Sequence, residues 1–131
     1  MQNPSNAEAG AVASGHRTLH LTPTEVWRGQ QDQPAYRPEA FAADGFIHCT
    51  DDAEELMNVG NRYYREDARP YIALTINCDL LTAPVIYEDA ARMYPHIYGL
   101  LDTKAVECVQ AVRRDRKGAF VAVEPAAVLD Q

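Results

Sequence analysis

The segment Asp44-Gly45-Phe46-Ile47-His48-Cys49-Thr50 joins a short apolar strand to the beginning of a helix. Asp51 and Glu54 follow it at capping-box spacing, which predicts that the helix begins there. His48 therefore lies at the edge of an apolar segment, where a pocket wall can form. Burying a polar group without a partner costs roughly 2–7 kcal/mol, so such a histidine needs a partner. Functional sites often hold groups in this condition.

Segments in which polar and apolar residues alternate, together with short apolar segments, predict about six strands along the chain. The four strands after the helix follow one another without room for crossover helices, and the last two form a hairpin. This order predicts an α+β fold with a mostly antiparallel, split sheet and two or three helices. The predicted strands are Thr18–Leu21, Phe46–Cys49, Tyr71–Ile76, Val85–Tyr87, Lys104–Val112 and Ala119–Val123.

Capping and periodicity predict further details of the elements. Thr22 as N-cap, with Pro23 at N1 and Glu25 at N3, predicts a first helix. The composition of 30–38 predicts a loop, and 95–99 is predicted to be irregular. Two apolar faces are also predicted: Leu56, Val59, Gly60 and Tyr63 on the second helix, and Ile72, Leu74 and Ile76 on the third strand.

Size and charge restrict the classes of protein to which the chain can belong. With 131 residues, 47% of them hydrophobic, it has the size of one domain. We predict a disordered leader over 1–15, a single domain over 16–125 and a loose tail over 126–131. The net charge of −7 disfavours nucleic acids and anionic lipid surfaces as partners. The basic run 113–117 is interpreted as a solvated hairpin turn, in preference to a nucleic-acid or phosphate site. No apolar run reaches the ~18 residues that cross a bilayer.

Three cysteines, Cys49, Cys78 and Cys108, are well separated and odd in number. They predict reduced thiols in a cytoplasmic protein. Cys49 follows His48 directly, so a nucleophile activated by a base is one interpretation. A small apolar residue facing the core is the other, because adjacent strand residues point to opposite faces.

Several motifs together resemble the bacterial DUF952 family, a domain of unknown function. They are Leu19-His20-Leu21-Thr22, Gly45-Phe46-Ile47-His48-Cys49-Thr50, Tyr87-Glu88 and Pro95-His96-Ile97-Tyr98-Gly99. The resemblance extends from Thr18 to about Val123. It identifies a family without assigning an activity.

That family is grouped with the ADP-ribosyltransferase-like fold, which includes RNA 2′-phosphotransferases and poly-ADP-ribose polymerases. In this superfamily two strands carrying histidine motifs form the floor of a cleft for nicotinamide adenine dinucleotide (NAD). The resemblance places His20 and His48 in these positions and Glu88 at the later glutamate. It therefore implies NAD as a co-substrate and His20, His48 and Glu88 as catalytic residues. The implied substrate-binding residues are Tyr36, His96 and Tyr98.

Breaking the bond between nicotinamide and ribose passes through an oxocarbenium-like state, which a carboxylate stabilises. Glu88 is suited to that role, while a neutral histidine or a tyrosine ring can orient the substrate. Two other functions stay open. The cleft can bind a small molecule or nucleotide without turnover. Alternatively, three histidines and Glu88 can form a zinc or iron site, although no HxH or HxxxH pair supports it.

Overall fold

The main sheet of the protein is antiparallel and has four strands. Its strands are β1 (Arg17–Pro23), β4 (Tyr71–Asn77), β8 (Val106–Arg114) and β9 (Phe120–Val123). They pair in the order β1-β4-β8-β9 in the computed structural model, which describes residues 12–125. Ile72, Leu74 and Ile76 of β4 belong to one buried cluster, while Tyr71 and Ala73 belong to another. The predicted face of this strand is therefore confirmed.

Two smaller sheets complete the β-structure of the described residues. Their strands are β2 (Ala35–Tyr36), β3 (Ile47–His48), β5 (Val85–Tyr87), β6 (Pro95–Ile97) and β7 (Leu101–Asp102). β2 pairs with β7, and the other three pair in the order β3-β6-β5. All of these pairings are antiparallel, which confirms the α+β class and the mostly antiparallel sheet structure. Two backbone hydrogen bonds between Leu19 and Thr50 join β1 to the segment after β3.

Three short α-helices in the described part of the chain cover the sheets. They are α1 (Thr24–Arg28), α2 (Phe41–Asp44) and α3 (Ala53–Tyr63). α3 packs on the main sheet through Leu56 and Met57, which share a buried cluster with Leu21 and Phe120. α1 contributes Trp27 to the larger cluster, where it is 5% exposed. Burial of these apolar faces explains why such short helices are stable.

Both predicted helix caps are wrong by one residue. β1 stays paired as far as Pro23 opposite Tyr71, so Pro23 and not Thr22 is the N-cap of α1. The N-cap of α3 is Asp52, whose carboxylate accepts a hydrogen bond from the Glu55 amide at 2.8 Å. Asp51 does not cap because its carboxylate binds the Tyr87 hydroxyl.

Two segments predicted as loops are strands. Tyr36 lies in β2, and Pro95–Ile97 is the central strand of its sheet. Proline cannot donate a backbone hydrogen bond, which is why the sequence disfavours a strand there. The Pro95 carbonyl still accepts from the Cys49 amide at 3.1 Å, and partners on both sides hold the segment extended.

Residues 12–15 of the predicted leader contact the rest of the domain. Val12 packs against the larger buried cluster, and the Gly15 amide donates to the Asp79 carboxylate at 3.0 Å. The rest of the leader, 1–11, and the tail, 126–131, lie outside the described residues. Among residues 12–125, none of the helices is both long and apolar enough to cross a membrane.

Gly60 of α3 faces Phe120, and the Gly60→Ala variant should destabilise the protein. A Cβ at this position would lie 2.6 Å from Cγ of Phe120. Overpacking of this kind costs about 1–3 kcal/mol, more than the ~1 kcal/mol that alanine gains in helix propensity. Urea unfolding should therefore show a lower free energy of unfolding. The control is Gly29→Ala, where the nearest atom to an added Cβ is 3.4 Å away. An equal effect of both substitutions would contradict the packing explanation.

Candidate functional site

His48 and His96 form the centre of the candidate site. They are direct cross-strand partners in β3 and β6, and their ring centroids are 5.4 Å apart. Each imidazole donates to a carboxylate at 2.8 Å: His48 Nε2 to Asp44 and His96 Nδ1 to Glu88. Within residues 12–125, the second nitrogen of each ring has no hydrogen-bond partner. The pair therefore presents two oriented imidazoles that can still bind a ligand.

Phe46 packs against both histidines and was not predicted as a site residue. Its ring stacks on His96 with centroids 4.0 Å apart and lies 4.7 Å from His48 and 5.3 Å from Tyr98. Phe46 precedes His48 by two residues, and side chains at this spacing in an extended segment share a face. That spacing was the signal in the sequence that could have identified it.

Glu88 lies directly after β5 and is held by two donors. Its Oε1 accepts hydrogen bonds from the Tyr98 hydroxyl and from His96 Nδ1. Both hydrogen bonds lower the pKa of Glu88, and the bond from Tyr98 contributes more. The side chain is 52% exposed. The site therefore contains an ionised carboxylate in a fixed position, accessible to a ligand.

A pocket of about 270 Å³ lies beside these residues. One wall is the face of α3 that carries Val59, Arg62 and Tyr63, residues spaced three and four apart. Tyr63 was placed on the apolar face of this helix, and it is 67% exposed because the helix borders the pocket there. The complete lining is His48, Cys49, Thr50, Val59, Arg62, Tyr63, Glu88, Asp89, Tyr94 and His96.

The loop between β5 and β6 is fixed by its own hydrogen bonds. The Asp89 carboxylate accepts from the amides of Met93 and Tyr94 at 2.8 and 3.1 Å. The Tyr94 hydroxyl binds the Glu55 carboxylate on α3. The loop and the helix are thereby connected across the pocket. Tyr94 was predicted as core or pocket wall, whereas Asp89 and Arg62 were not predicted to line the pocket.

His20 lies behind the site rather than in the pocket with Glu88. The His20 side chain is 5% exposed. Its Nδ1 donates a hydrogen bond to the His48 carbonyl at 2.8 Å, and its Nε2 forms one with the Tyr36 hydroxyl at 3.1 Å. Burial lowers the pKa of His20 to about 4, so the imidazole is neutral at pH 7. His20 and His48 both border a second, smaller hollow of about 100 Å³.

Tyr36 and Tyr98 were both predicted to bind substrate, and the structure places them differently. Tyr36 is 0% exposed in the core, and its hydroxyl is 2.7 Å from that of Thr22. Burial raises the pKa of Tyr36. A ligand in the pocket cannot reach it. Tyr98 is exposed at the edge of the site and contacts Glu88. Of the predicted site residues, the structure brings together His48, Glu88, His96 and Tyr98.

The metal alternative needs His20, His48 and His96 to converge, and they do not. Both ring nitrogens of His20 have protein partners, so it cannot bind a metal ion alongside the other two. In the part of the chain that the structure describes, no group of three or more His, Cys, Asp or Glu side chains is arranged to bind a metal.

The nucleophile interpretation of Cys49 also loses support. Cys49 is 2% exposed, and burial raises the pKa of its thiol well above the usual value. The thiolate that attacks a substrate is therefore disfavoured. His48, the adjacent residue, points to the opposite, exposed face, as expected for neighbours in a strand.

The rate of alkylation should distinguish Cys108 from Cys49 and Cys78. Burial raises the pKa of Cys49 and raises that of Cys78 to about 11, whereas Cys108 is only half-buried. Iodoacetamide at neutral pH should therefore modify Cys108 at least about tenfold faster, measured by peptide mass spectrometry. Protein unfolded in urea, in which all three thiols are accessible, is the control. Fast modification of Cys49 in the folded protein would restore the nucleophile interpretation.

Comparisons with known proteins give a family and a fold. The family described as "Protein of unknown function (DUF952)" matches residues 21–109. No curated protein matches the chain. Protein CC0527 from Caulobacter crescentus has a similar structure, with a TM-score of 0.67 and 19% identity over 80% of this chain and 93% of that one. A double mutant of CC0527 gives the same TM-score and coverage at 18% identity. None of these descriptions gives an activity, so the resemblance to ADP-ribosyltransferases stays a prediction.

Proposed function

Because the chain belongs to the DUF952 family, whose description gives no activity, we propose its function from the geometry of the site. The pocket beside His48, His96 and Glu88 binds NAD or a related nucleotide and transfers or hydrolyses the ADP-ribosyl or related group. The observation that supports this most is the Glu88 carboxylate, ionised and fixed by Tyr98 and His96 at the pocket. A fixed anion stabilises the positive charge that develops on ribose when the nicotinamide bond breaks.

The two histidines have separate roles in this proposal. His96 orients Glu88 through Nδ1 and keeps Nε2 for the ligand. His48, held by Asp44, keeps Nδ1 to bind the ribose or the carboxamide. His20 acts as a positioning residue, because it binds the backbone carbonyl of His48 and is shielded from the ligand.

The size of the pocket favours one end of a dinucleotide. At about 270 Å³ it falls just below the ~300–1,000 Å³ typical of small-molecule sites. A nicotinamide ring with its ribose is a better match for this volume than a whole dinucleotide. The remainder of the ligand then lies over the open side of the pocket, near Arg62 and Tyr63.

Ligand binding and turnover test the proposal in two assays. NAD, ADP-ribose and nicotinamide are each added at millimolar concentration in a thermal-shift screen, since a ligand of the folded state raises Tm by mass action. Chromatography then measures nicotinamide released from NAD. We expect a higher Tm with NAD or ADP-ribose, together with enzyme-dependent release. No shift with any of the three ligands would contradict the proposal.

Binding without turnover is the second candidate function, and the exposure of Glu88 favours it. The Glu88 side chain is 52% exposed, and water weakens the field that a carboxylate exerts on a reacting centre. In that case the ligands still raise Tm, but no nicotinamide is released.

A further inference from the structure

A basic groove of about 470 Å³ lies on another part of the surface, between the loop after α3 and the turn joining β8 to β9. The predicted hairpin turn is confirmed, since the Gly118 amide donates to the Asp115 carbonyl at 3.0 Å. The groove is lined by five of the chain's 12 lysines and arginines but by two of its 19 aspartates and glutamates. This distribution is the reverse of the overall composition. The five cationic residues are Arg65, Arg69, Arg114, Arg116 and Lys117.

Arg114 lies half-buried in this groove. Its guanidinium donates to the carbonyls of Arg69, Arg65 and Gly118 at 2.9, 3.1 and 3.0 Å and lies 4.2 Å from the centroid of the Phe120 ring. Within residues 12–125, no carboxylate lies within 4.0 Å of it. The hydrogen bonds satisfy its donors but leave its charge uncompensated. A partly buried charge of this kind favours an anion nearby.

Three other cations of the groove are exposed: Arg65, Arg116 and Lys117. Among the described residues, they too have no carboxylate within 4.0 Å. Asp115 uses one carboxylate oxygen to accept from the amides of Lys117 and Ala119, both at 2.9 Å. Glu66 is the other acidic residue of the lining. The groove therefore keeps an excess of positive charge.

Arg69 differs from the other four because it is paired with three carboxylates, which more than offset its charge. Its guanidinium binds the carboxylates of Asp67 at 2.7 Å and of Glu25 and Glu39 at 3.0 Å. These hydrogen bonds raise the pKa of Arg69, Asp67 contributing most. Arg69 is therefore committed to the fold and contributes little charge to the groove.

The two sides of the groove are held at a fixed separation. Gly118 has φ +88°, and a Cβ there would lie 2.7 Å from the Arg65 carbonyl oxygen. Only glycine at position 118 allows the turn to approach the loop this closely. Arg114 bonds to both segments. A site with such fixed walls loses little conformational entropy when it binds a ligand.

We infer that this groove binds a small, multiply charged phosphate ligand, such as a diphosphate or triphosphate group. Arg65, Arg116 and Lys117 contact the ligand, and Arg114 adds charge from its fixed position. Guanidinium groups match phosphate oxygens in geometry, and several cations together favour an anion with more than one charge. The chain's charge of −7 opposes an extended polyanion such as nucleic acid. The inference does not depend on the proposed function.

Calorimetric titration with inorganic pyrophosphate tests the inference on the full chain. We compare the wild type with Arg116→Ser/Lys117→Ser, which removes two exposed cations and retains Asp115 and Gly118. The matched control is Arg37→Ser/Lys104→Ser, because these cations are exposed and lie outside the groove. We expect the groove variant to bind pyrophosphate at least tenfold more weakly and the control to stay within twofold of wild type. Binding should also weaken as salt is added.

Three results would overturn the inference. The first is no binding of pyrophosphate to the wild type at millimolar concentration. The second is an equal loss of affinity in the groove variant and the control, which would show attraction to surface charge in general. The third is tighter binding of a short single-stranded DNA than of pyrophosphate, which would assign the groove to nucleic acid. A Glu88→Gln variant should bind pyrophosphate as the wild type does, and its result is separate from the test of the proposed function.

Discussion

Replacing Glu88 by glutamine is expected to lower nicotinamide release by about 10²–10³-fold, the usual effect of removing one electrostatic contact to a transition state. The substitution keeps the size of the side chain and removes its negative charge. Ligand affinity, measured by calorimetry with ADP-ribose, should change by less than about threefold, because the charge acts mainly on the reacting centre. Release is measured under saturating NAD, so that binding and chemistry are separated.

Two further variants make this prediction specific. Glu54→Gln removes an exposed carboxylate of α3 that does not line the pocket, so its activity should equal that of the wild type. Tyr98→Phe removes one of the two donors to Glu88 and should give an intermediate loss. If Glu88→Gln retains full release, the carboxylate is not the stabilising group. If it loses release and ADP-ribose affinity equally, Glu88 acts in binding rather than in the transition state.

Acidification from pH 7 to pH 4 should lower the free energy of unfolding by about 3 kcal/mol through His20 alone. The pKa of His20 is lowered to about 4 by burial, whereas an exposed histidine titrates near 6.5. Between these values the unfolded chain binds the proton and the folded chain does not. Stability therefore rises with pH across this window and is fully present above it. Urea unfolding at half-unit pH intervals measures the slope.

Substitution of His20 should remove this slope. His20→Gln is expected to be less stable at pH 7, since it breaks the bonds to the His48 carbonyl and the Tyr36 hydroxyl. Its stability should nevertheless vary less than that of the wild type between pH 6.5 and pH 5. His48→Gln, at an exposed position, should keep most of the wild-type slope. If His20→Gln and the wild type show the same slope, another group is responsible.

The sequence predicted the parts of the fold that local patterns determine. The alternation of polar and apolar residues predicted that Ile72, Leu74 and Ile76 face the same side of the strand. The turn residues predicted the β8–β9 hairpin. It failed where long-range partners decide the structure. Pro95 is in a strand because two other strands hold it, and Thr22 is not a cap because β1 continues past it. Neither partner can be read from the local sequence.

The sequence likewise predicted part of the candidate site and missed the rest. His48, His96 and Glu88 were identified, because titratable residues beside apolar segments are visible in the sequence. Tyr36 was predicted to bind substrate, but it lies in β2, which pairs with β7, and it is buried. Arg62 was missed, because its position at the pocket depends on where α3 packs.

The site depends on the register between β6 and β3, and β3 is a strand of only two residues. Side chains alternate between the faces of a strand, so a slip of one position would exchange His48 for buried Cys49. The four strands of the main sheet would stay paired with one another, but the backbone bonds between Leu19 and Thr50 would be lost. Partial denaturation should therefore disrupt the proposed ligand site while the larger sheet is still intact.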